Sequence, residues 1–216
     1  MDQQSSPLNF WTDVWSEGVI RFHQKNYNSH MVSFFNDFDL KGKTVFIPLA
    51  GKTNDIIYFL EKGAKVVAIE FVESAIDDFF TEKNIPYTKT NNEYHSENLT
   101  FLAMDFFNYH PEKPFDVLYD RASQVVFSES LRPKYYDHIK NFVHFETLLL
   151  LLSINHQGPR DYGPPFPISE HEIISQYEKM KIPLKLLSKT PETPSEKMQA
   201  QGITEIYNIV ITSSNE

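Results

Sequence analysis

Cysteine is absent from this chain of 216 residues. Its absence excludes disulfide bonds, catalysis by a thiolate and every metal site that needs cysteine ligands. A chain without disulfides is typical of a reducing compartment, so we expect a cytoplasmic protein. The N-terminal segment MDQQSSPLNF is polar and acidic, without the basic and apolar regions of a secretory signal, and it favours the same location.

Long apolar runs and an excess of positive charge are missing as well. No stretch approaches the roughly 18 consecutive apolar residues of a membrane span, so we expect no membrane partner. Lys and Arg number 20 against 29 Asp and Glu, which gives a net charge of −9. This charge disfavours binding to nucleic acid and points to a small-molecule partner. We expect a monomer with no metal site.

Glycine is scarce, at 7 residues, and its placement is informative in the segment Val45–Glu70. Gly51 follows the apolar run Val45–Leu49, and Glu70 closes a second apolar run 19 positions later. In a nucleotide-binding βαβ unit, a turn and a helix N-terminus face the ligand, and a carboxylate about 20 residues later binds the ribose hydroxyls. The alternative is that Glu70 is an ordinary carboxylate at the end of a strand.

The single glycine of this turn narrows the class of ligand. A dinucleotide pyrophosphate needs several glycines, because backbone N–H groups must approach it closely. The turn at residues 48–52 has only Gly51, which disfavours a nicotinamide-dependent oxidoreductase. A ligand with adenine and ribose but no phosphate tolerates a bulkier turn, and S-adenosylmethionine is such a ligand. Lys52 does not complete a phosphate-binding loop, because the upstream glycine of that motif is missing.

Strands and helices alternate along the chain, which predicts a doubly wound α/β fold. Strands are expected at Thr44–Ile47, Lys65–Glu70, Leu99–Ala103, Phe115–Tyr119, Thr147–Ile154, Leu184–Ser188 and Glu205–Thr212. Helices are expected within residues 8–36, in two pieces separated at Gly18, and at Asn54–Glu61, Ser74–Glu82, Pro133–Val143 and Ser169–Met180. Ser74 is expected to cap its helix, and Ser169 with Glu172 is expected to form a capping box. The polar residues 84–98 lack periodicity and are expected to form an exposed loop. No linker divides the chain, so residues 1–216 are predicted to form one domain.

Four segments, taken in order, resemble the thiopurine S-methyltransferase family. They are FWTDVWSEGVIRFHQ at 10–24, PLAGKTND at 48–55 with the later Glu70 and Asp78-Phe79-Phe80, MDFF at 104–107 with FDVLYDRAS at 115–123, and GPPFPIS at 163–169. Because all four follow the family's order and approximate spacing, the chain is identified as a bacterial member. The resemblance implies a Rossmann-like fold, with a mostly parallel seven-stranded sheet and helices on both faces. Residues 44–212 would form its core and residues 1–36 a helical lid.

The resemblance also implies an activity, the transfer of a methyl group from S-adenosylmethionine to a sulfur nucleophile of a small molecule. Selenium and tellurium nucleophiles are related acceptors, and the product is S-adenosylhomocysteine. Three departures from the family pattern leave the acceptor open: Ala50, Val14 and the segment His144-Phe145-Glu146. Two alternatives therefore stand beside this function. One is a binding protein for the cofactor without catalysis, and the other is a methyltransferase with a different small-molecule acceptor.

The cofactor contacts implied by the resemblance come from three places in the chain. Leu49 and Gly51 would present backbone to the methionine portion, and Glu70 would bind the ribose hydroxyls. Asp105 and Phe106 would bracket the adenine, with Asp105 as the acceptor for its amine. The alternative is that Asp105 caps a turn.

Aromatic and basic residues complete the implied site. Trp11, Trp15 and Phe22 would lie near the sulfonium, which aromatic rings attract; the alternative is a helix that packs its aromatic face on the sheet. Arg121 would orient the cofactor carboxylate or favour an acceptor thiolate, or it would pair structurally with Asp120. His23 is a further catalytic candidate; the alternative, and the more usual role of a histidine after an aromatic residue, is a packed or surface position. Two substrate-side candidates are the wall formed by Gly163-Pro164-Pro165-Phe166 and, less specifically, Lys197, for which a solvated surface position is the alternative.

Overall fold

The computed structural model describes residues 7–18 and 23–214, arranged in two compact units, Met1–Tyr109 and His110–Glu216. Its helices are α1 (Pro7–Ser16), α2 (Ser29–Phe35), α3 (Asp55–Glu61), α4 (Glu73–Lys83), α5 (Arg132–Ile139), α6 (Glu170–Lys179) and α7 (Glu196–Gln199). Its strands are β1 (Thr44–Ile47), β2 (Lys65–Glu70), β3 (Thr88–Thr90), β4 (Glu93–Ser96), β5 (Leu99–Ala103), β6 (Val117–Arg121), β7 (Leu148–His156), β8 (Leu184–Glu192) and β9 (Ile206–Ser213). Within the described ranges, no helix combines the length and apolar character that crossing a membrane requires.

The first unit is built on three parallel strands in the order β5, β2, β1. Their apolar side chains pack against α3 and α4, and Phe46, Phe59 and Phe101 are fully buried. The register pairs Ile47 with Ala68 and Glu70 with Ala103. Because parallel strands end at the same edge of a sheet, the residues after β1, β2 and β5 come together at one edge.

The predicted loop at residues 84–98 is wrong, because this segment forms an antiparallel hairpin. Strand β4 pairs with β5 and strand β3 pairs with β4. One buried side chain holds the hairpin in place: the ring of Tyr94 stacks on Phe80 at 5.7 Å, and its hydroxyl donates to Glu73. A single apolar residue among polar ones gives no periodicity to detect. The hairpin raises the strands in the described residues to nine, two more than predicted.

Helix starts in the first unit differ from the prediction in their capping. Helix α3 begins one residue late, and the Thr53 hydroxyl accepts from the Asp55 N–H at 3.3 Å. The prediction that Ser74 caps α4 is wrong, because Val72 occupies the N-cap position and makes no side-chain hydrogen bond. The N–H group of Val72 is satisfied by the Glu70 carboxylate instead.

The second unit carries strands in the order β6, β7, β9, β8. Strands β6 and β7 are parallel, whereas β9 is antiparallel to both β7 and β8. The three central leucines of β7, residues 149–151, are fully buried, as the unbroken apolar sequence predicts. The cap of α6 is confirmed, since Ser169 accepts from the Glu172 N–H at 3.1 Å. The Glu172 carboxylate pairs with Arg132 and Arg160, so only half of the predicted capping box is present.

Candidate active site

Glu70 connects the three segments that meet at the carboxyl edge of the first unit. Its Oε2 accepts from the Gly51 N–H at 2.9 Å, and its Oε1 accepts from Phe71 and Val72 at 2.8 and 2.9 Å. Its backbone carbonyl accepts from the Met104 N–H at 3.1 Å, which fixes the segment after β5. One residue at the end of β2 therefore ties together all three connections that form this edge.

The Glu70 carboxylate keeps some capacity for a ligand. Two carboxylate oxygens offer about four acceptor positions, and three are taken by backbone N–H groups. The remaining position is on Oε2, the oxygen that faces the Gly51 turn. The residue is 8% exposed. Burial raises the pKa of the carboxyl, and the three N–H groups offset part of that rise.

The turn after β1 has a left-handed backbone at two positions. Leu49 has φ of 46° and Gly51 has φ of 54°. A side chain at residue 51 would be strained by this φ, and it would also meet a neighbour: a Cβ atom there would lie 2.9 Å from Cζ2 of Trp15. The turn thus needs glycine for its conformation and for the close approach of an aromatic ring.

Trp15 lies directly over this turn. It is buried in a cluster with Val72 and Ala75, and Phe71 packs against the same cluster. Helix α1 is therefore docked where the turn after β1 meets the start of α4. Trp11, one helical turn earlier, is half-buried and meets the Phe10 ring edge-on at 5.1 Å. The structure thus places Trp15 against the predicted cofactor turn and leaves more of Trp11 exposed.

Lys52 fixes the turn from the side of α4. Its ammonium group lies 3.1 Å from the Asp78 carboxylate and 2.6 Å from the Glu82 carboxylate, with 12% of the side chain exposed. The sequence indicated only that Lys52 was no phosphate-binding lysine. The signal for its actual role was the pair of acidic residues four positions apart, which lie on one face of a helix.

The residues that precede α2 are held at the N-terminus of α3. The Asn54 side-chain amide donates to the carbonyls of Gln24 and Lys25 at 2.9 and 2.8 Å. The Asp55 carboxylate accepts from the Asn28 N–H at 2.8 Å. His23, a predicted catalytic candidate, begins this anchored stretch and is half-buried. The predicted contact of Phe22 lies outside the described residues.

Asp105 and Phe106 occupy the connection after β5. Asp105 Oδ1 accepts from the Phe107 N–H at 3.0 Å and so caps a short 3-10 helix, Phe106–Asn108. The capping alternative is therefore observed, although Oδ2 has no hydrogen-bond partner among the described residues and stays available to a ligand. The Phe106 ring is 4% exposed and stacks on Phe46 at 6.4 Å, which makes it largely a core residue.

Arg121 ends β6 in the second unit, and the neighbouring Asp120 is not its partner. Asp120 is fully buried, and its Oδ1 accepts from the Ser123 N–H at 2.9 Å while Oδ2 accepts from the Tyr135 hydroxyl. Adjacent residues of a strand point to opposite faces, so this network leaves Arg121 on the other face. Burial raises the pKa of the Asp120 carboxyl. Sequence reasoning missed Tyr135, for which no local pattern exists.

The segment Gly163–Pro167 of the second unit is also fixed by hydrogen bonds. The Phe166 N–H donates to the Val125 carbonyl at 2.7 Å, and the Pro167 carbonyl accepts from Arg132 at 2.7 Å. Lys197, on α7, is exposed. In the part of the chain that the structure describes, no three His, Asp or Glu side chains are grouped as a metal site.

Comparison with known proteins identifies the family. The family model for "Thiopurine S-methyltransferase (TPMT)" matches residues 7–214. A thiopurine S-methyltransferase of Legionella pneumophila (strain Paris) is 30% identical over 209 residues, covering 93% of this chain and 95% of the relative. Both matches span both units.

Solved structures show the fold. The Burkholderia thailandensis 1,6-didemethyltoxoflavin-N1-methyltransferase, solved with S-adenosylhomocysteine, has a TM-score of 0.66 at 14% identity and covers 100% of this chain and 93% of its own. The Synechocystis magnesium protoporphyrin IX methyltransferase, solved with S-adenosylmethionine, has a TM-score of 0.63 at 11% identity, with 97% and 99% covered. These likenesses confirm the predicted doubly wound methyltransferase fold. The chain belongs to the thiopurine S-methyltransferase family and is an S-adenosylmethionine-dependent methyltransferase.

Proposed function

We propose that this enzyme methylates a sulfur nucleophile of a small molecule, with selenium and tellurium nucleophiles as related acceptors. The observation that carries the cofactor part is the Glu70 carboxylate, which is bound to the Gly51 turn and keeps one acceptor position on Oε2. The acceptor part is supported by the curated relatives, which are named as S-methyltransferases.

The residues at the edge of the first unit fit the cofactor. Glu70 Oε2 would accept from a ribose hydroxyl, and the unpartnered Asp105 Oδ2 would accept from the adenine amine. The backbone of Leu49 and Gly51 would face the methionine portion. The turn is compact and has one glycine, which suits a ligand without a pyrophosphate.

Aromatic residues of α1 would close over this site. Trp15 already lies on the Gly51 turn, and Trp11 is the more exposed ring one helical turn away. Rings in this position attract a sulfonium cation by its charge and exclude water from the reaction. We propose that α1 is the moving part of the lid and that the anchored stretch at residues 23–28 is its fixed end.

S-adenosylmethionine, when bound, would supply a methyl group on a sulfonium: the acceptor sulfur would bond to the methyl carbon as the bond from that carbon to the sulfonium breaks, and S-adenosylhomocysteine would leave with the electron pair. The chain's task is then to hold the acceptor in line and to keep its sulfur deprotonated. We propose Arg121 for this role, because it ends β6, and ligands of doubly wound sheets bind at the carboxyl ends of the strands. His23 is the second candidate for taking the acceptor's proton.

The test is a transfer assay with purified protein. S-adenosylmethionine is mixed in turn with thiophenol, 6-mercaptopurine, 2-mercaptoethanol, selenite, tellurite and iodide, and methylated product and S-adenosylhomocysteine are quantified by mass spectrometry. We expect turnover of at least one thiol or selenium or tellurium compound. Binding of S-adenosylhomocysteine without turnover of any of these, together with methylation of a nitrogen or oxygen acceptor, would show that the acceptor class is wrong.

A further inference from the structure

Three consecutive residues of the segment Gly163–Pro167 are each hydrogen-bonded to a different element of the second unit. The Pro165 carbonyl faces Nε2 of His156 at 3.2 Å. The Phe166 N–H donates to the Val125 carbonyl, and the Pro167 carbonyl accepts from Arg132. A segment that is hydrogen-bonded at three successive residues is more rigid than a loop exposed to solvent.

The His156 side chain has both ring nitrogens in use. The Gly158 N–H points at Nδ1 at 3.1 Å, and an N–H can only donate. Nδ1 is therefore the acceptor, which puts the proton on Nε2 and makes Nε2 the donor to Pro165. His156 is 4% exposed. Its imidazole thus bridges the two ends of the connection that runs from Gly158 to Pro165.

The connection that starts at Gly158 packs closely against His156 and Ile203. A Cβ atom at Gly158 would lie 2.6 Å from Cγ1 of Ile203 and 2.9 Å from Nδ1 of His156. The Tyr162 ring meets the imidazole edge-on at 6.0 Å, and it also packs against the apolar cluster that contains Ile203. The connection therefore contacts the end of β7 at both of its own ends: Gly158 packs against His156, and Pro165 is hydrogen-bonded to His156.

We propose that His156 is a positioning residue for the methyl acceptor. By holding Pro165 and Phe166 in place, it keeps them as a fixed wall against which a flat, apolar acceptor binds. The inference rests on the proposed function, because it takes the wall formed by residues 163–166 to face the acceptor. Half-buried proline and phenylalanine side chains suit an aromatic ring. Two of the anchors are side chains, Arg132 and His156. Arg132 is also buried in an ion pair with Glu172, so replacing it would break that ion pair, whereas His156 can be replaced without breaking an ion pair.

The test compares His156→Leu with a matched variant at the other end of the same strand. Thr147, just before β7, is fully buried, and its hydroxyl donates to the Phe115 carbonyl at 2.8 Å. The same hydroxyl accepts from the His144 N–H at 3.0 Å. Thr147→Val therefore removes two hydrogen bonds about 30 Å away along β7, at ~3.3 Å per residue. Both variants are expected to lose stability. With thiophenol as the probe, we expect KM for thiophenol to rise about five- to tenfold in His156→Leu, since a wall that has lost one of its three anchors spends less time in place.

Other kinetic constants separate positioning from general damage. In His156→Leu, the KM for S-adenosylmethionine and the affinity for S-adenosylhomocysteine should stay at wild-type values. In Thr147→Val, the KM for thiophenol should stay unchanged as well. His156→Gln, whose amide can still donate to the Pro165 carbonyl, should recover part of the lost thiophenol affinity. The KM for 2-mercaptoethanol should change less than that for thiophenol, because a small acceptor touches less of the wall.

Two results would overturn the proposal. One is an unchanged KM for thiophenol in a folded His156→Leu protein, and the other is an equal rise in Thr147→Val. A failure of the proposed function looks different, since the wild type itself would then methylate no thiol. Hydrogen exchange of residues 157–167 tests the anchoring step without turnover. Exchange in His156→Leu as slow as in the wild type would also overturn the proposal.

Discussion

Substitution of Gly51 by alanine tests whether Trp15 lies on the cofactor turn in solution. Two effects act at this position, the left-handed φ of 54° and the contact of a Cβ atom with Trp15 at 2.9 and 3.3 Å. The chain offers a control with only the first effect. Gly42 has φ of +73°, and a Cβ atom there would have nothing within 4 Å. The difference between Gly51→Ala and Gly42→Ala therefore isolates the contact with Trp15.

The expected magnitudes follow from these two terms. Placing an L-residue in the left-handed region costs about 1–2 kcal/mol, so Gly42→Ala should lower the free energy of unfolding by about that much. Forcing an extra carbon into a packed contact costs roughly 1–3 kcal/mol more, which should add to the loss in Gly51→Ala. Relaxation of the structure will take the form of Trp15 moving away, because a ring on a short helix shifts more readily than the backbone of the turn.

Urea unfolding and tryptophan fluorescence measure the two consequences separately. The chain has 2 tryptophans, so a Trp11→Phe background leaves Trp15 as the sole tryptophan, which is excited at wavelengths that tyrosine does not absorb. Gly51→Ala should shift its emission to longer wavelength and weaken the binding of S-adenosylhomocysteine, whereas Gly42→Ala should change neither. Equal losses of stability in the two variants, with identical emission spectra, would refute the docking of Trp15 on this turn.

Three further predictions concern charged residues. Glu70→Gln should weaken the binding of S-adenosylhomocysteine by about 1–3 kcal/mol in calorimetry. The reason is that the amide loses the Oε2 acceptor and sets a donor against the Gly51 N–H. Unchanged affinity in a folded variant would show that Glu70 is not part of the site. Burial raises the pKa of the Asp120 carboxyl above its ordinary value of 3.8, so its contribution to stability is full below pH 3.8 and is lost as the pH rises through the folded-state pKa. The wild type should therefore gain stability relative to Asp120→Asn as the pH is lowered in urea titrations, and a constant difference would contradict this. Arg121→Ala should lower kcat/KM for a thiol more than it lowers stability, and the defect should shrink at high pH if the guanidinium favours the thiolate; wild-type rates at every pH would mean that Arg121 has no part in turnover.

The parallel strands of the first unit were predictable from the sequence. The bounds of β1, β2 and β5 agree with the prediction residue for residue, because each strand is a short apolar run between polar or glycine-containing turns. Burial on both faces removes the alternation of polar and apolar residues, and short runs with clear ends remain. The position of Glu70 at the end of β2 could be predicted for the same reason.

The hairpin of β3 and β4 could not be predicted in this way. Strand β3 is exposed at every residue, and β4 contributes the single buried side chain Tyr94. The hairpin is stabilised by the pairing of β4 with β5 and by contacts with α4, and these partners are not local in the sequence. The same holds for Tyr135, whose partner Asp120 is 15 positions away.

Glu70 shows why the sequence could indicate a site without describing how it is built. The spacing from Gly51 predicts a carboxylate that receives ribose hydroxyls, and the free position on Oε2 is compatible with that role. Yet three of its acceptor positions are filled by backbone N–H groups, one from the turn after β1 and two from the start of α4. The residue expected to bind the ligand is thus also the residue that holds the turn in shape. Because these tasks share one side chain, truncation of Glu70 would disturb the turn and the ligand together, whereas Glu70→Gln keeps the volume of the side chain and sets a single donor against the Gly51 N–H.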